Sequence, residues 1–403
     1  MVEISPLKGY TYNLEKVGNI SNVISPPWDV IDSEYEKKLK LLSPYNVINL
    51  ISKNENPQEV FQKFNKWIKE KIIIEDESDC FYFMKHTFLV DNKQMERNGV
   101  FALLKLETFE KGNIIPHERI FEKYKVNRYK LIEKCRANFS PVFMLYQDNN
   151  FIFENEIKKL NGEIKGTINN EIFSFGKIKD KNKTEIIKNI FKDKKLIIAD
   201  GHHRYNAALH FYLDNPTPSA GKVLVFLVNI KSPGLLILPT HRYVIEDIPF
   251  FKKKQLIEKF FEIQKVPSLF EMKEKMEQFQ DSHCFGVYDN GEFFVLILKS
   301  KDVIGKIAEK HSENWSELDT VILHEFIFPE IFEIKNNEFF FHISPEYLIK
   351  EREKRRKGII FFLNPIKKEQ FLKICFCGEV MPQKSTYFYP KVPSGLVIYK
   401  FNS

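Results

Sequence analysis

Residues 196–206, LIIADGHHRYN, end a short apolar run in an aspartate, a glycine, two histidines and an arginine. Two imidazoles and a guanidinium suit three jobs: a phosphate cradle, a divalent-metal site or a buried polar knot. A strand that runs into an Asp-Gly turn, with a helix directly behind it, favours the first. Gly201 lets the backbone turn and approach a ligand closely. The first helical turn offers N–H donors without intrahelical partners and the positive end of the macrodipole. An anion is the natural guest there. His202, His203 and Arg204 would add side-chain donors, and an arginine can hold two phosphate oxygens at once. Asp200 only accepts, so beside phosphate it needs a histidine or a magnesium ion to hold. The metal reading is weaker. Adjacent helical side chains point about 100° apart, whereas zinc helices place histidines at i and i+4.

Four other stretches carry residues of the same kind. In IIPHERIFEKYKVNRYK, Glu118 is a candidate general base that His117 would orient; its bland alternative is a helix-start charge favoured by the dipole. Arg128, ten residues on, is either a phosphate partner or a solvated helix position. LPTHRYV sets Thr240, His241 and Arg242 after an apolar strand and repeats the His-Arg chemistry, with a purely structural role standing equally open. MPQKSTYFYPKVPSG presents Lys384, Ser385 and Thr386 between prolines. Prolines lower the entropy lost on ordering a loop, and lysine with two neighbouring hydroxyls fits a phosphate contact; a plain surface loop is the alternative. In SPPWDV, Trp28 reads first as core, while Asp29 would suit magnesium or a substrate amino group.

The elements that must position these residues come from a chain of 403 residues with a formal net charge of +7. That charge is spread along the whole length, so it suits a phosphate-bearing ligand and gives no nucleic-acid footprint. Five scattered cysteines fit a reducing compartment better than a disulfide framework. Cys375 and Cys377 read as alternate residues of a strand. The N-terminus lacks an apolar leader, and the longest apolar runs have strand length, short of the ~20 residues of a membrane span. The expectation is a cytoplasmic protein with no membrane partner.

Along the chain, Asp32 or Ser33 should cap a short helix to about Leu42, with Pro44 ending it before a strand-like run. Residues 57–70 show helical spacing of Val60, Phe61, Phe64 and Trp67. CFYFMKHTFLV and RNGVFALLKLETF read as paired strands joined by DNKQMERNG. KTEIIKNIFKDKK reads as an amphipathic helix and HRYNAALHFYL as another. From Ile248 to about Pro365 strands and helices alternate, and KEREKRRK reads as a solvated turn. The fold class is α+β, or mixed α/β. The Rossmann and Walker glycine signatures are absent.

Taken together, PPWDVI, PHE, NFSPVFMLY, IADGHHRYNAAL, PTHR and MPQKSTYFYPKVPSGL resemble, in order and nearly end to end, the domain-of-unknown-function family DUF1015. More distantly, Pro-His-Glu, then strand-Asp-Gly-His-His-Arg-aromatic, then Pro-x-Lys-[ST]-Thr is similar to the free-serine kinases of the ParB/sulfiredoxin-like superfamily. That resemblance implies a ParB/sulfiredoxin-like catalytic core with large insertions and an accessory α/β lobe. It implies residues 1–247 as the core, 248–374 as the lobe and 375–403 as a segment returning to the active site. It implies phosphoryl transfer from ATP or ADP to free L-serine, with Mg²⁺ held through nucleotide oxygens and Asp200. Glu118 would be the base. Asp200, Gly201, His202, His203 and Arg204 would lie at the phosphates, helped by Lys384, Ser385 and Thr386. Tyr387 and Phe388 stand where those kinases have Arg-His, so Arg242 or Arg128 would substitute. The implied partners are a nucleotide and a small hydroxylated amino acid. Residues 250–365 read either as a lobe closing over the site or as a homodimer surface. A phosphohydrolase or nucleotidase, and a non-enzymatic nucleotide-binding regulator, are the competing functions. A DNA-binding regulator would need a helix-turn-helix with a basic face, and none is evident.

Overall fold

Buried residues alternate along some strands and run unbroken through others, and this pattern follows the sheets. The computed structural model describes residues 1–90, 92–118, 122–246, 248–309, 311–334 and 339–401. The chain divides into two compact units. Unit 1 comprises Met1–Pro116, Ile120–Leu236 and Pro390–Ser403; unit 2 comprises His117–Arg119 and Ile237–Tyr389.

Unit 1 is built on a nine-stranded mixed sheet. Its strands are β1 (Ile4–Ser5), β2 (Phe81–Val90), β3 (Lys93–Lys105), β4 (Ile114–Pro116), β5 (Val142–Tyr146), β6 (Ile164–Ile168), β7 (Glu171–Ile178), β8 (Leu196–Asp200) and β9 (Lys222–Asn229). The order is β4-β8-β5-β9-β3-β2-β7-β6, with β1 also pairing β3. β8 runs parallel to β4 and β9 parallel to β5; the other pairs are antiparallel. The β2–β3 pairing continues to Val90↔Lys93, so β3 takes in the KQMERN residues expected in the turn; Asp91 lies outside the described residues. All five residues of β5 are buried, as expected of a strand covered on both faces.

Helix α1 (Pro57–Lys69) starts where Asn56 accepts from the Gln58 N–H and Pro57 fills the first position. Val60, Phe64 and Trp67 are its buried stripe, and Phe61 faces outward. The strand-like run after Pro44 is instead a short helix, Ile48–Ile51, because the Asn46 side chain accepts the Ile48 N–H and turns the chain there. A helix at Ser33–Leu42, capped by Asp32 accepting the Tyr35 N–H, and helices α2 (Glu122–Cys135), α3 (Lys181–Phe191) and α4 (His202–Asp214) also belong to the unit. Asp180 caps α3 by accepting from Lys183 N–H.

Unit 2 holds a six-stranded, fully antiparallel sheet. Its strands are β10 (His241–Val244), β11 (Phe261–Val266), β12 (Cys284–Asp289), β13 (Glu292–Leu298), β14 (Phe339–His342) and β15 (Ile359–Phe362), in the order β11-β13-β12-β15-β10-β14. Helices α5 (Phe250–Phe260), α6 (Leu269–Gln278), α7 (Pro345–Arg355) and α8 (Lys368–Phe376) surround it. Val244, Ile359 and Phe361 enter one core cluster with Phe250 and Ile257. Tyr243, Ile360 and Phe362 enter the other with Met272 and Met276. Both faces are therefore buried, which explains the unbroken GIIFFL run.

The KEREKRR stretch is the end of α7 rather than a turn, since Ser344 caps the helix and Glu351 pairs with Lys354 and Arg355 one turn on. Cys375 lies in α8 and Cys377 at its C-cap, so they are not strand neighbours; all five cysteines are free thiols. Residues Leu323–Ile331 form a π-helix with Pro329 inside it. Proline has no N–H to give an α-type bond, and π-helical turns concentrate at functional sites. Among the described residues no helix is long and apolar enough to cross a membrane.

Candidate functional site

In unit 1 the LIIAD strand is β8, and it ends at Asp200 as expected. Gly201 sits at φ +93° and α4 starts at once with His202. A side chain at Gly201 would be strained by that φ, and its Cβ would lie 2.8 Å from Arg204 Nε. The glycine thus lets the Arg204 guanidinium fold back over the turn. Arg204 Nη2 lies 3.2 Å from Asp200 Oδ2, and its Nη1 donates to the Pro141 carbonyl. Lys391 Nζ stands 3.6 Å from the same Asp200 oxygen. Asp200 is therefore paired with two cations. His202 is buried and His203 half-buried.

Arg128, on α2, faces a small cavity of about 40 Å³ that Arg204 and Ser140 also line, with Ile51, Phe139 and Val142 as apolar wall. Its Nη1 and Nη2 both donate to the Ile51 carbonyl, each at 3.1 Å. Its guanidinium lies 4.4 Å from the centre of the Trp28 ring. Trp28 is thus half-buried with a cation on its face rather than core. Burial pushes the Arg128 pKa down to about 9, Arg204 repels it further, and Asp29 opposes the shift. Among the described residues Arg128 has no ion pair, while Asp200 is spent on Arg204 and Lys391. Two guanidiniums share this cavity, and no carboxylate lines it among the described residues, an arrangement that an incoming anion would relieve.

Unit 2 contains the other sequence-derived candidates apart from Asp29, which lies in unit 1. His117 is buried, its ring flanked edge-on by Phe371 and Phe388, and its Nε2 lies 2.9 Å from Thr386 Oγ1. The His117 carbonyl accepts the Met381 N–H at 2.9 Å, and Glu118 bridges to Met381. Glu118 Oε1 accepts the Lys384 N–H at 3.1 Å. Lys384 adopts φ +58°, unusual for a side-chain-bearing residue and found where the surroundings over-determine the backbone. Its ammonium is exposed and has no ion pair among the described residues. The Pro-His-Glu and Lys-Ser-Thr segments are thus joined by main-chain and side-chain bonds.

Arg242 is fully buried. It donates to the carbonyls of Thr240, Lys384 (3.0 Å) and Gln383 (3.4 Å), and its Nε donates to His324 Nε2 at 3.2 Å. Burial pushes its pKa down to about 9, and the charge of Glu118 opposes that shift. Arg242 therefore fixes the Gln383–Lys384 backbone that in turn holds Glu118.

The remaining candidates have other bonds. His241 Nδ1 accepts the Leu363 N–H at 3.2 Å, and burial, with Arg242 adding, pushes its pKa down to about 3. It is a neutral structural histidine. The Ser385 hydroxyl is buried against the Pro382 carbonyl (2.7 Å) and Thr320 Oγ1 (3.1 Å), away from Glu118's hydrogen bond. Thr240 is buried and its Oγ1 has no hydrogen-bond partner among the described residues. Asp29 is exposed, in electrostatic reach of Arg128.

Sequence reasoning missed His324 and Lys391. His324 is a lone histidine in an apolar run, with no motif to mark it; burial, with Arg242 adding, pushes it down to about 3, so it is the neutral acceptor for Arg242. Lys391 stands inside the MPQKSTYFYPKVPSGL segment, where its basic charge was the available signal. Among the described residues no group of three or more His, Cys, Asp or Glu is placed to hold a metal ion. Asp200 is engaged by Arg204 and Lys391.

Three solved structures show distant likeness. A free serine kinase in complex with AMP is 13% identical, with a TM-score of 0.36, covering 69% of this chain and 84% of that one. A conserved hypothetical protein from Pyrococcus furiosus is 13% identical, with a TM-score of 0.37, covering 70% and 90%. SbnI with a C-terminal truncation from Staphylococcus aureus is 11% identical, with a TM-score of 0.38, covering 71% and 84%. Likeness at this level decides nothing about chemistry. No curated protein matches the chain. The family model described as "Protein of unknown function (DUF1015)" matches residues 4–321, the stretch that carries the PPWDVI, PHE, ADGHHR and PTHR segments, and the chain belongs to that family.

Proposed function

We propose that the protein is a small-molecule kinase that transfers a phosphoryl group from ATP or ADP to the hydroxyl of free L-serine, giving O-phosphoserine. The observation that carries the reading is the cavity shared by Arg128 and Arg204, where two guanidiniums lie beside a strand–glycine–helix turn whose one carboxylate is engaged. Phosphoryl transfer asks a protein chiefly to position phosphates, spread their charge and orient a nucleophile. The α4 N-terminus and Arg204 take the nucleotide phosphates, and Arg128 adds a second charge-assisted contact. Lys391 releases Asp200 or shares it as the anion arrives.

Glu118 is the base for the acceptor hydroxyl. Its carboxylate is ordered by the Lys384 N–H and electrostatically supported by Arg242. The Lys384 ammonium, free of ion pairs among the described residues, would serve a phosphate oxygen. A magnesium ion fits as a companion of the nucleotide, bound chiefly by phosphate oxygens and water. It would supply further charge neutralisation, and the protein roles above do not pass through it.

The test is incubation with ATP or ADP and a panel of amino acids and polyols, read by mass spectrometry. Serine gaining HPO3, dependent on both nucleotide and protein, supports the proposal. Free phosphate released without acceptor dependence would replace it with a phosphohydrolase. Nucleotide binding with no turnover would make the protein a nucleotide-binding regulator.

A further inference from the structure

Unit 2 has a cavity of about 370 Å³, much larger than the one between Arg128 and Arg204. None of its acids and lysines has been given a role above. Its charges are nearly balanced and mostly spent on each other: Lys301 pairs with Glu317 at 3.3 Å, and Lys367 pairs with Asp281. Two groups on its wall retain capacity. Asp319 uses Oδ1 on His283 Nδ1 at 2.9 Å, and its other oxygen has no hydrogen-bond partner among the described residues. Lys373 has no ion pair among them either. Burial holds the Asp319 carboxyl above its ordinary range, so its charged form lacks solvation. His283 sits at φ +48°, a costly backbone state for a residue other than glycine. Gln370 donates to the Glu317 carbonyl at 3.2 Å and leaves its side-chain oxygen as an acceptor.

One negative and one positive group with spare capacity, on an amide-rich wall whose other charges are Asp281, Glu317 and Glu369 against Lys301 and Lys367, suit a zwitterion. A polyphosphate would meet uncompensated carboxylates there. We propose that this cavity binds a free amino acid, its ammonium on Asp319 and its carboxylate on Lys373, and that occupancy steadies the Lys384–Thr386 segment.

The coupling has two routes, both within unit 2. Thr320 and Ser385 line the cavity and are bonded to each other at 3.1 Å. Ser385 lies between Lys384, whose N–H meets Glu118, and Thr386, whose hydroxyl meets His117. From Asp319 the chain also runs directly into the π-helix that carries His324, the partner of Arg242. A ligand on Asp319 therefore touches the chain on both sides of the Arg242–Lys384 contacts. The binding stands apart from the kinase reading; only a consequence for turnover rests on it.

Calorimetric titration of the full chain with each common amino acid tests the binding, and hydrogen exchange tests the coupling. One amino acid or chemical group of them should saturate a site. Lys373→Ala and the cavity-filling Gln370→Trp should each weaken it at least tenfold. Melting curves establish that both cavity variants stay folded. With ligand bound, amides of residues 381–386 should exchange more slowly. No saturable binding, or binding indifferent to both cavity variants, overturns the site. Binding without any change in that exchange overturns the coupling. A serine signal lost in Glu118→Gln but kept in the cavity variants places the amino acid elsewhere and also overturns the site. Absence of phosphoryl transfer, by contrast, bears on the kinase reading alone.

Discussion

Replacing Arg128 with methionine separates a ligand-binding arginine from a structural one, because the two roles predict opposite changes. In the free protein the Arg128 charge is disfavoured by burial and by Arg204. Against that stand two donations to a single carbonyl, Ile51, at 3.1 Å each, and a 4.4 Å approach to Trp28. Hydrogen bonds from a charged donor contribute about 1.5–3 kcal/mol, and a cation over an aromatic ring ~0.5–2 kcal/mol. Desolvating a cation costs several kcal/mol, so the sum is near zero. Methionine has an unbranched stem that lies on Trp28 and needs no partner. The Ile51 carbonyl borders the cavity, where water can replace the lost donor. Arg128→Met should therefore leave unfolding free energy within ~1 kcal/mol of the parent, or raise it. Loss of one charge-assisted contact should weaken AMP and inorganic phosphate binding by roughly 10- to 150-fold. Titration calorimetry near neutral pH gives the affinities, and urea unfolding gives the stability. A clear loss of stability with anion affinity unchanged would refute the reasoning and make Arg128 a staple between α2 and the Ile51 carbonyl.

Three further outcomes are expected. Glu118→Gln keeps an acceptor for the Lys384 N–H, so the fold should persist while serine phosphorylation drops by about 10²–10⁴-fold; full turnover with nucleotide binding intact would remove Glu118 as the base. Gly201→Ala forces an L side chain to φ +93° against Arg204, and should cost ~1–2 kcal/mol in melting experiments and weaken phosphate binding as Arg204 shifts. Acid should destabilise unit 2 through His241 and His324. Both are held down to about 3 in the fold, below the ordinary 6.5. As pH falls from 6.5 towards 3 the unfolded chain takes up protons that the native state refuses, so stability falls, by up to ~1.4 kcal/mol per pH unit per histidine. His324→Gln retains an acceptor for Arg242 and should remove about half of that slope in urea titrations; an unchanged slope would contradict the assignment.

Much of this was readable before the fold was known. Local signals sufficed where one segment specifies its own structure: β8 leading through Gly201 into α4, the Asn56–Pro57 start of α1, and the Asp32 and Asp180 caps. They failed where a neighbour decides. The run after Pro44 became a helix through an Asn46 side-chain bond, and KEREKRR extended α7 through ion pairs that a turn would not make. The Cys375–Phe376–Cys377 spacing fits a strand equally well, and only the core contacts of Phe371 and Cys375 select the helix.

The candidate site divides in the same way. Residue types and order named Glu118, Asp200, Gly201, Arg204, Arg242 and Lys384, because each belongs to a short segment whose chemistry is visible in place. Which of them meet was decided by tertiary structure. His241 and Arg242 are adjacent in sequence, yet one is a neutral acceptor for a backbone amide and the other anchors Lys384. Ser385 and Thr386 are adjacent too, and their hydroxyls serve different partners, Thr320 and His117. Alternating side chains of extended backbone point to opposite sides, so a motif fixes the groups available but not the face each one serves. Within unit 2 His324 reached Arg242 from a distant segment, within unit 1 Lys391 reached Asp200, and Asp319 and Lys373 came to line one cavity only when the chain between them folded back. Residue types and order set which chemical groups are available; burial and long-range contact decided which charges are left for a ligand.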